Sequence, residues 1–380
     1  MEPRIREVDG YRDLRKFIFL PEKLHAGHDK WVPPLYKQEF DYFDPKKNRY
    51  FAYCKTILLL AFRSDEVVGR VFGIINPHYN DARGERTVRF ACLEASNDRQ
   101  VVGALLDSVE QWARRHGMDK VVGPYGFSDQ DPEGFLIEGF EHPPTIATNY
   151  NFQWMPAFVE DNGYSKEIDY VTYRINVPTE MPGAYIGMKN RIMERGGFNL
   201  VELKDRADVG LYAKPAFQLM NDTYSRAAIY GFSPLDEQEM EELVERYRDI
   251  LDPRFLKVVV KGREVVAFII GLPDMMEGIR RARGRLLPFG FLKILRARKN
   301  AGRLDLLLGA VKEEYRRMGL DFLLMQSICA SAIEAGMRVV DMHHQMETNT
   351  PMRLLTERYG GSVYKRYRVY GKKLGNRGTR

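Results

Sequence analysis

The chain repeats itself, and a repeat of this length restricts the fold more than any other feature. Glu66-Val67-Val68-Gly69 opens an apolar run that ends at Ile75, and Glu264-Val265-Val266-Ala267 opens another that ends at Leu272. Asn151 heads a helix-like stretch closing at Gly163, with Tyr170 and Tyr173 beyond it. Asn349 heads a second stretch closing at Gly361, with Tyr367 and Tyr370 beyond it. Glu66 to Asn151 and Glu264 to Asn349 each span 85 residues. A segment that recurs with its internal spacing intact is one supersecondary plan used twice. The reading is therefore two units, residues 1–178 and 184–380, with 177–183 as linker.

In a chain of 380 residues, 44% apolar and 12% aromatic side chains suffice for two ordinary cores. The longest unbroken apolar runs, Ile57 to Phe62 and Val265 to Leu272, fall far short of a membrane span of roughly 20 residues. The start, Met1-Glu2-Pro3-Arg4, is charged and carries no secretory signal. Cys54, Cys92 and Cys329 are odd in number and widely spaced, which fits a reducing compartment and supplies neither a disulfide framework nor a zinc motif. These features predict a cytoplasmic protein that uses no metal.

Each copy reads as strands and helices in one order. In the first, Lys55 to Phe62 and Val67 to Ile75 form a hairpin, Thr87 to Leu93 a strand, Val101 to His116 an amphipathic helix and Lys120 to Val122 a short strand. A Gly/Pro-rich loop over Gly123 to Tyr150 precedes a helix at Phe152 to Asn162 and a strand at Lys166 to Ile175. In the second, helices are predicted over Lys214 to Arg226 and Asp236 to Leu251, the latter capped by Ser233 with Pro234 at its first position. A hairpin (Phe255 to Val260, Glu264 to Leu272), a strand (Leu304 to Val311), a helix (Gly319 to Ala335), a strand (Arg338 to Met342), a helix (Pro351 to Tyr359) and a strand (Val363 to Tyr370) complete the plan.

One turn is suited to an anion. Leu306 to Val311 ends an apolar strand; Lys312-Glu313-Glu314-Tyr315-Arg316-Arg317-Met318-Gly319 turns the chain; Leu320 starts a helix. The first N–H groups of a helix lack intrahelical partners, and the helix dipole places positive potential there. Gly319 lets backbone approach a phosphate closely, and Arg316 and Arg317 carry charge that does not titrate away. The matching turn of the first copy, Ala95 to Val101, has no glycine and contains Asp98. Only the second copy is expected to hold a phosphate.

A strand, an Arg-x-x-Gly turn, a helix, a strand, an Asn-headed helix and a Tyr-bearing strand resemble the GNAT acyl-CoA N-acyltransferase superfamily. The resemblance implies an α/β (α+β) fold of two tandem GNAT-like domains, each a mixed, mostly antiparallel sheet flanked by helices. It implies acyl-CoA as cosubstrate, its pyrophosphate held at Arg316 and Gly319 with Arg317, Met318 and Leu320 as backbone neighbours, and the thioester carbonyl held by backbone N–H near Ala310 and Val311. Asp321 stands where that family has a small residue, and Thr356 stands where it has a tyrosine general acid. Over nearly the whole chain, Trp31-Val-Pro-Pro34, Glu133-Gly134, Gly284 to Gly290 and Tyr364 to Tyr370 resemble a bacterial tandem-GNAT-like group. Some members of that group are regarded as acyl-CoA-dependent ceramide synthases. The resemblance implies transfer to an amine, with a long-chain, sphingoid-type base as one acceptor class.

Amide formation requires a group to deprotonate the amine and a donor for the developing oxyanion. His343, His344 and Glu347 follow the strand that points toward the expected acyl position. The alternative is that His343 and His344 alternate across the strand, one packed and one exposed. Asn349 can bind cofactor or cap the helix that starts at Thr350-Pro351, and the two roles are compatible. Asp129, Asp131 and Glu133 can hold an ammonium group if they border a cleft; a loop built from turn residues is the plainer account. His25 and His28 lack a third metal ligand and read as surface residues.

From Gly278 to Leu304 there are nine Lys or Arg and no acid, around the apolar Leu286 to Leu295. This insertion, residues 274–303, suits an anionic membrane surface, which would make the protein peripheral to the inner membrane. It can also cover an acyl chain, or pack on its own domain. Its aromatics sit beside aliphatics rather than among the basic residues, which argues against nucleic acid. Two rival functions remain open: a tRNA-dependent aminoacyl transferase, and a non-catalytic sensor or adaptor, which Asp321 and Thr356 favour.

Overall fold

The computed structural model describes residues 2–375 apart from 228 and 249. Its first half runs β1 (Arg4–Glu7), α1 (Gly10–Leu24), α2 (Tyr36–Tyr42), β2 (Lys55–Arg63), β3 (Glu66–Ile75), α3 (Pro77–Arg83), β4 (Thr87–Ala95), α4 (Arg99–Arg115), β5 (Lys120–Gly123), β6 (Phe135–Glu138), α5 (Met155–Asp161) and β7 (Ser165–Asn176). The second runs α6 (Gly183–Gly196), β8 (Asn199–Val201), α7 (Arg206–Arg226), α8 (Glu237–Arg248), β9 (Leu256–Lys261), β10 (Glu264–Pro273), α9 (Met276–Ala282), α10 (Gly290–Lys299), β11 (Arg303–Val311), α11 (Leu320–Glu334), β12 (Val339–Met346), α12 (Thr350–Arg358) and β13 (Ser362–Lys373).

Among the described residues the strands form one sheet in the order β1-β2-β3-β4-β5-β13-β7-β12-β11-β10-β9-β8, with β6 also paired to β13. Pairing is antiparallel except at β4–β5 and β11–β12. This is a mixed, mostly antiparallel sheet flanked by helices, as expected. The order contains an exchange that the pattern does not foretell. β13, the last strand of the second copy, pairs with β5 of the first; β7, the last strand of the first copy, pairs with β12 of the second. β7 and β13 also pair with each other along most of their length. Each copy therefore completes its sheet with the other's closing strand.

Both faces of the sheet are covered. Val101, Leu105, Val109 and Trp112 of α4 bury a stripe against β2–β5. Leu320, Leu323 and Ile328 of α11 do the same against β10–β12. On the opposite face, Phe217 and Met220 of α7 pack on Phe268 and Ile270. At the seam, Tyr125, Tyr150, Tyr170, Tyr367 and Val369 form a cluster of their own.

Several local expectations are corrected. Residues 10–24, 36–42 and 183–196, for which the pattern predicts no element, are the helices α1, α2 and α6, the last starting where the 177–183 linker ends. Ser233 does not cap α8, and its buried hydroxyl has no hydrogen-bond partner among the described residues. Asp236 takes that role, accepting from Glu239 N (2.8 Å) while Glu239 accepts from Asp236 N (2.9 Å), a reciprocal capping box. The insertion does not pack on its own domain alone: Gly284 O accepts from Tyr36 N, and Arg285 pairs with Glu22, both in the first copy.

Candidate active site

β11 and β12 run parallel for four residue pairs, Arg303–Leu306 against Val339–Met342. Beyond Leu306 and Met342 they separate: β11 stays with β10 to Val311, and β12 stays with β7 to Met346. The result is a wedge in the sheet. Lys312 N donates to Val266 O. The alternation of an antiparallel ladder then turns the backbone groups of Gly309 and Val311 away from β10 and into the wedge. Tyr224 of α7 donates to Gly309 O at 3.3 Å, as that orientation requires.

At the top of the wedge the chain makes the predicted turn. Arg317 (φ 65°) and Gly319 (φ 84°) both adopt left-handed backbone, and α11 starts at Leu320 with no side chain capping it. Arg316, Arg317 and Met318 are exposed. A Cβ at Gly319 would stand 2.8 Å from Ile192 Cδ1 of α6, so glycine also admits a neighbouring helix here. The matching start of α4 is closed. Asp98 accepts from Gln100 N (2.9 Å) and Val101 N (3.4 Å), and Arg63 binds the same carboxylate at 2.7 Å. An anion fixed in the chain occupies the place a phosphate would take. The first copy's wedge is also filled: after β5, Tyr125 N bonds Phe90 O, and Tyr125 and Phe127 are buried there.

Sequence reasoning brought His343, His344 and Glu347 together, and the structure separates them. Two residues of β12, His343 and His344, oppose the single Thr172 of β7, which is a β-bulge. The expected alternation fails for that reason: the two rings stack with centroids 4.6 Å apart. His343 Nε2 lies 2.8 Å from Ile146 O; a carbonyl only accepts, so that nitrogen carries the proton. Burial pushes His343 down to about 4 and His344 well below the usual histidine value. Both are neutral at pH 7. Glu347 is paired instead with Lys166 (2.6 Å) and accepts from Asp169 N, holding β12 to β7.

Asn349 caps α12 by accepting from Met352 N (3.4 Å). It also borders a cleft of about 460 Å³ between the copies, lined by Tyr79 and Arg83 from the first and by Tyr230, Met346 and Pro351 from the second. Thr356 is buried, donates to Met352 O and accepts from Gln345 Nε2, so its hydroxyl is committed within the fold. His25 is not a surface residue: it is buried, hydrogen-bonded to His28 (3.0 Å) and to Glu94 (3.1 Å). No His/Cys/Asp/Glu group suited to a metal ion occurs among the described residues.

One group of residues was missed as a cluster. Tyr170, Tyr367 and His344 lie on one face of β7, β13 and β12, beside Tyr125 and Glu133 of the first copy. Tyr170 and Tyr367 stand directly opposite each other in the ladder. The Tyr spacing was visible in the sequence; that two copies meet across it was not.

No protein-family model matches the chain. It is 29% identical over 374 residues to a bacterial ceramide synthase of Caulobacter vibrioides, covering 95% of each chain. It is 26% identical to YghO of Escherichia coli, covering 97% of this chain and 95% of that one. Among solved structures, a tandem GNAT protein from the clavulanic acid biosynthesis pathway superposes with a TM-score of 0.53 at 14% identity, over 98% of this chain and 99% of the other. The chain has the tandem GNAT fold and is similar, along nearly its whole length, to a bacterial ceramide synthase.

Proposed function

We propose that the protein transfers an acyl group from acyl-CoA to an amine, with a long-chain, sphingoid-type base as the acceptor class. The observation that carries this reading is the contrast between two equivalent helix starts. The one at α11 is uncapped, left-handed at Arg317 and Gly319 and flanked by arginines, whereas the one at α4 is sealed by Asp98. Two left-handed residues before a free helix N-terminus suit a pyrophosphate. In this reading Arg316, Arg317, Met318, Gly319 and Leu320 hold the CoA diphosphate. The N–H groups of Gly309 and Val311 receive the thioester oxygen, where charge develops as nitrogen attacks. Neutral His343 and His344 line the reacting end, Asn349 borders the cleft through which the acceptor enters, and Glu347 keeps β12 in place. The similarity to a ceramide synthase supports a lipid acceptor.

The test is a thiol-release assay with palmitoyl-CoA and sphinganine. Amine-dependent release of CoA is expected. If no acyl-CoA stabilises the protein at low salt and no thiol appears, the enzymatic reading fails and a non-catalytic role takes its place.

The insertion supports a second part of the reading, docking on an anionic bilayer. Leu287 (82% exposed), Phe289 (68%), Phe291, Leu292 and Leu295 project outward on and beside α10, among Lys293, Arg296, Arg298 and Lys299. Full burial of two leucines contributes about 3–6 kcal/mol in all. Leu292→Glu with Leu295→Glu is expected to lower cosedimentation with phosphatidylglycerol vesicles at least about tenfold. Equal partition of wild type and variant would count against docking here.

A further inference from the structure

Glu133 is a carboxylic acid buried to 6% exposure. Among the described residues its carboxyl group accepts from Tyr125 Oη at 2.7 Å, the Tyr170 hydroxyl supports it as well, and no basic side chain forms an ion pair with it. Arg89, whose charge acts on it, spends its N–H groups on the carbonyls of Gly126, Phe127 and Gly231 and lies over the rings of Tyr79 and Tyr125.

Around Glu133 the seam collects poorly partnered polar atoms. Among the described residues, Thr172 Oγ1 and His344 Nε2 are buried without a hydrogen-bond partner, and Tyr170 Oη and Tyr367 Oη are buried with no closer polar group than the Glu133 carboxyl and Thr148. They come from adjacent strands: Tyr367 faces Tyr170, Lys365 faces Thr172, and the His344 ring lies 5.5 Å from Tyr170 and 4.5 Å from Tyr367. Buried polar atoms in folded proteins are mostly hydrogen-bonded, so several poorly partnered ones together mark a place where water, an ion or a polar ligand is bound or where chemistry is done. The cluster borders the acyl wedge through the stacked His343 and His344 on β12. It borders the cleft through Tyr230, whose carbonyl oxygen lies 3.2 Å from Tyr125 Oη.

We infer that Glu133 receives the proton of the acceptor amine, so that a residue of the first copy completes the transfer site of the second. The inference rests on the acyl-transfer reading above. The amine arrives as an ammonium and gives one proton to the Glu133 carboxylate. The freed lone pair attacks the thioester carbon, the C–N bond forms and the C–S bond breaks. The remaining extra proton on nitrogen leaves with the thiolate as CoA thiol, and Glu133 returns its own proton to solvent. Tyr170, Tyr367 and His344 are placed to bond polar groups of the same acceptor beside its nitrogen. Nothing in the reaction demanded that the first copy, with no phosphate turn of its own, be retained; a carboxyl group placed here explains what it contributes chemically.

Burial pushes the Glu133 carboxyl up to about 8, with Asp129 adding to the rise and Tyr125, Tyr170 and Arg89 opposing it. Asp129, the other acid that acts on it, is itself pushed up to about 7 by burial. A base with a raised value is active only when ionised, so kcat is expected to climb with pH through about 8.

The experiment follows thiol release from palmitoyl-CoA with sphinganine across pH 6 to 10, alongside palmitoyl-CoA affinity. Glu133→Gln is expected to lower kcat about 100-fold or more, to remove the limb near pH 8 and to leave the affinity unchanged. Tyr125→Phe removes a hydrogen bond to the ionised form and is expected to move the limb to higher pH. An active wild type with Glu133→Gln inside threefold of it and the same limb, or with Tyr125→Phe unshifted, overturns the inference alone. A wild type that neither binds nor consumes palmitoyl-CoA overturns it together with the acyl-transfer reading.

Discussion

Gly319→Glu is expected to abolish the stabilisation of this protein by CoA. A ligand at a hundred times its dissociation constant adds about 2.7 kcal/mol of stability to the wild type. Three effects act together in the variant. The residue sits at φ 84°, where a side chain costs about 1–2 kcal/mol. Its Cβ would press on Ile192. Its carboxylate would stand at the helix start, where Asp98 caps α4 in the first copy, and would repel the diphosphate. Arg316→Ala keeps the backbone and removes one exposed charge, so weaker binding rather than none is expected, by about 1.5–3 kcal/mol if the contact is a charged hydrogen bond. Thermal unfolding with and without CoA measures both. A full shift retained in Gly319→Glu would move the cofactor away from this turn.

The second large effect concerns the exchanged strands. Expressed alone, residues 1–178 lack β13, and residues 184–380 lack β7. Each half would expose a strand edge and the apolar faces that Tyr173, Tyr367, Val369 and Tyr370 now bury. Domains are stable by only about 5–15 kcal/mol, and losing a full-length interior strand exceeds that margin. Neither half is expected to unfold cooperatively by itself, whereas the two coexpressed are expected to copurify. The intact chain should melt in a single transition. Two independent transitions, or a stable isolated half, would show that the halves proposed at 1–178 and 184–380 fold without exchange. The same experiment therefore tests the division of the chain.

How much of this was legible depends on the range of the interaction. Hairpins such as Lys55 to Ile75 and Phe255 to Leu272, and the helix carrying Leu320, Leu323 and Ile328, follow from local periodicity and turn residues, and they stand close to where they were expected. The turn at Arg316 to Gly319 and the helix start after it were legible because a glycine ahead of an apolar helical stretch marks such a boundary. The strand exchange was not, since β7 and β13 carry the same alternating pattern and either would satisfy either neighbour. The alternation of His343 and His344 across the strand fails because a bulge is set by the register with β7, not by β12 alone. Glu133 read as a turn residue for a similar reason. Its burial comes from Tyr125, Tyr170 and the segment around Tyr230, which are far from it in sequence or belong to the other copy.

The central claim is that one copy grips the nucleotide and the other cannot. Calorimetric titration of the full chain with CoA at low salt tests it most directly. The account predicts one molecule bound per chain, with binding lost in Gly319→Glu. A stoichiometry of two, or a single site that survives Gly319→Glu unchanged, would contradict it.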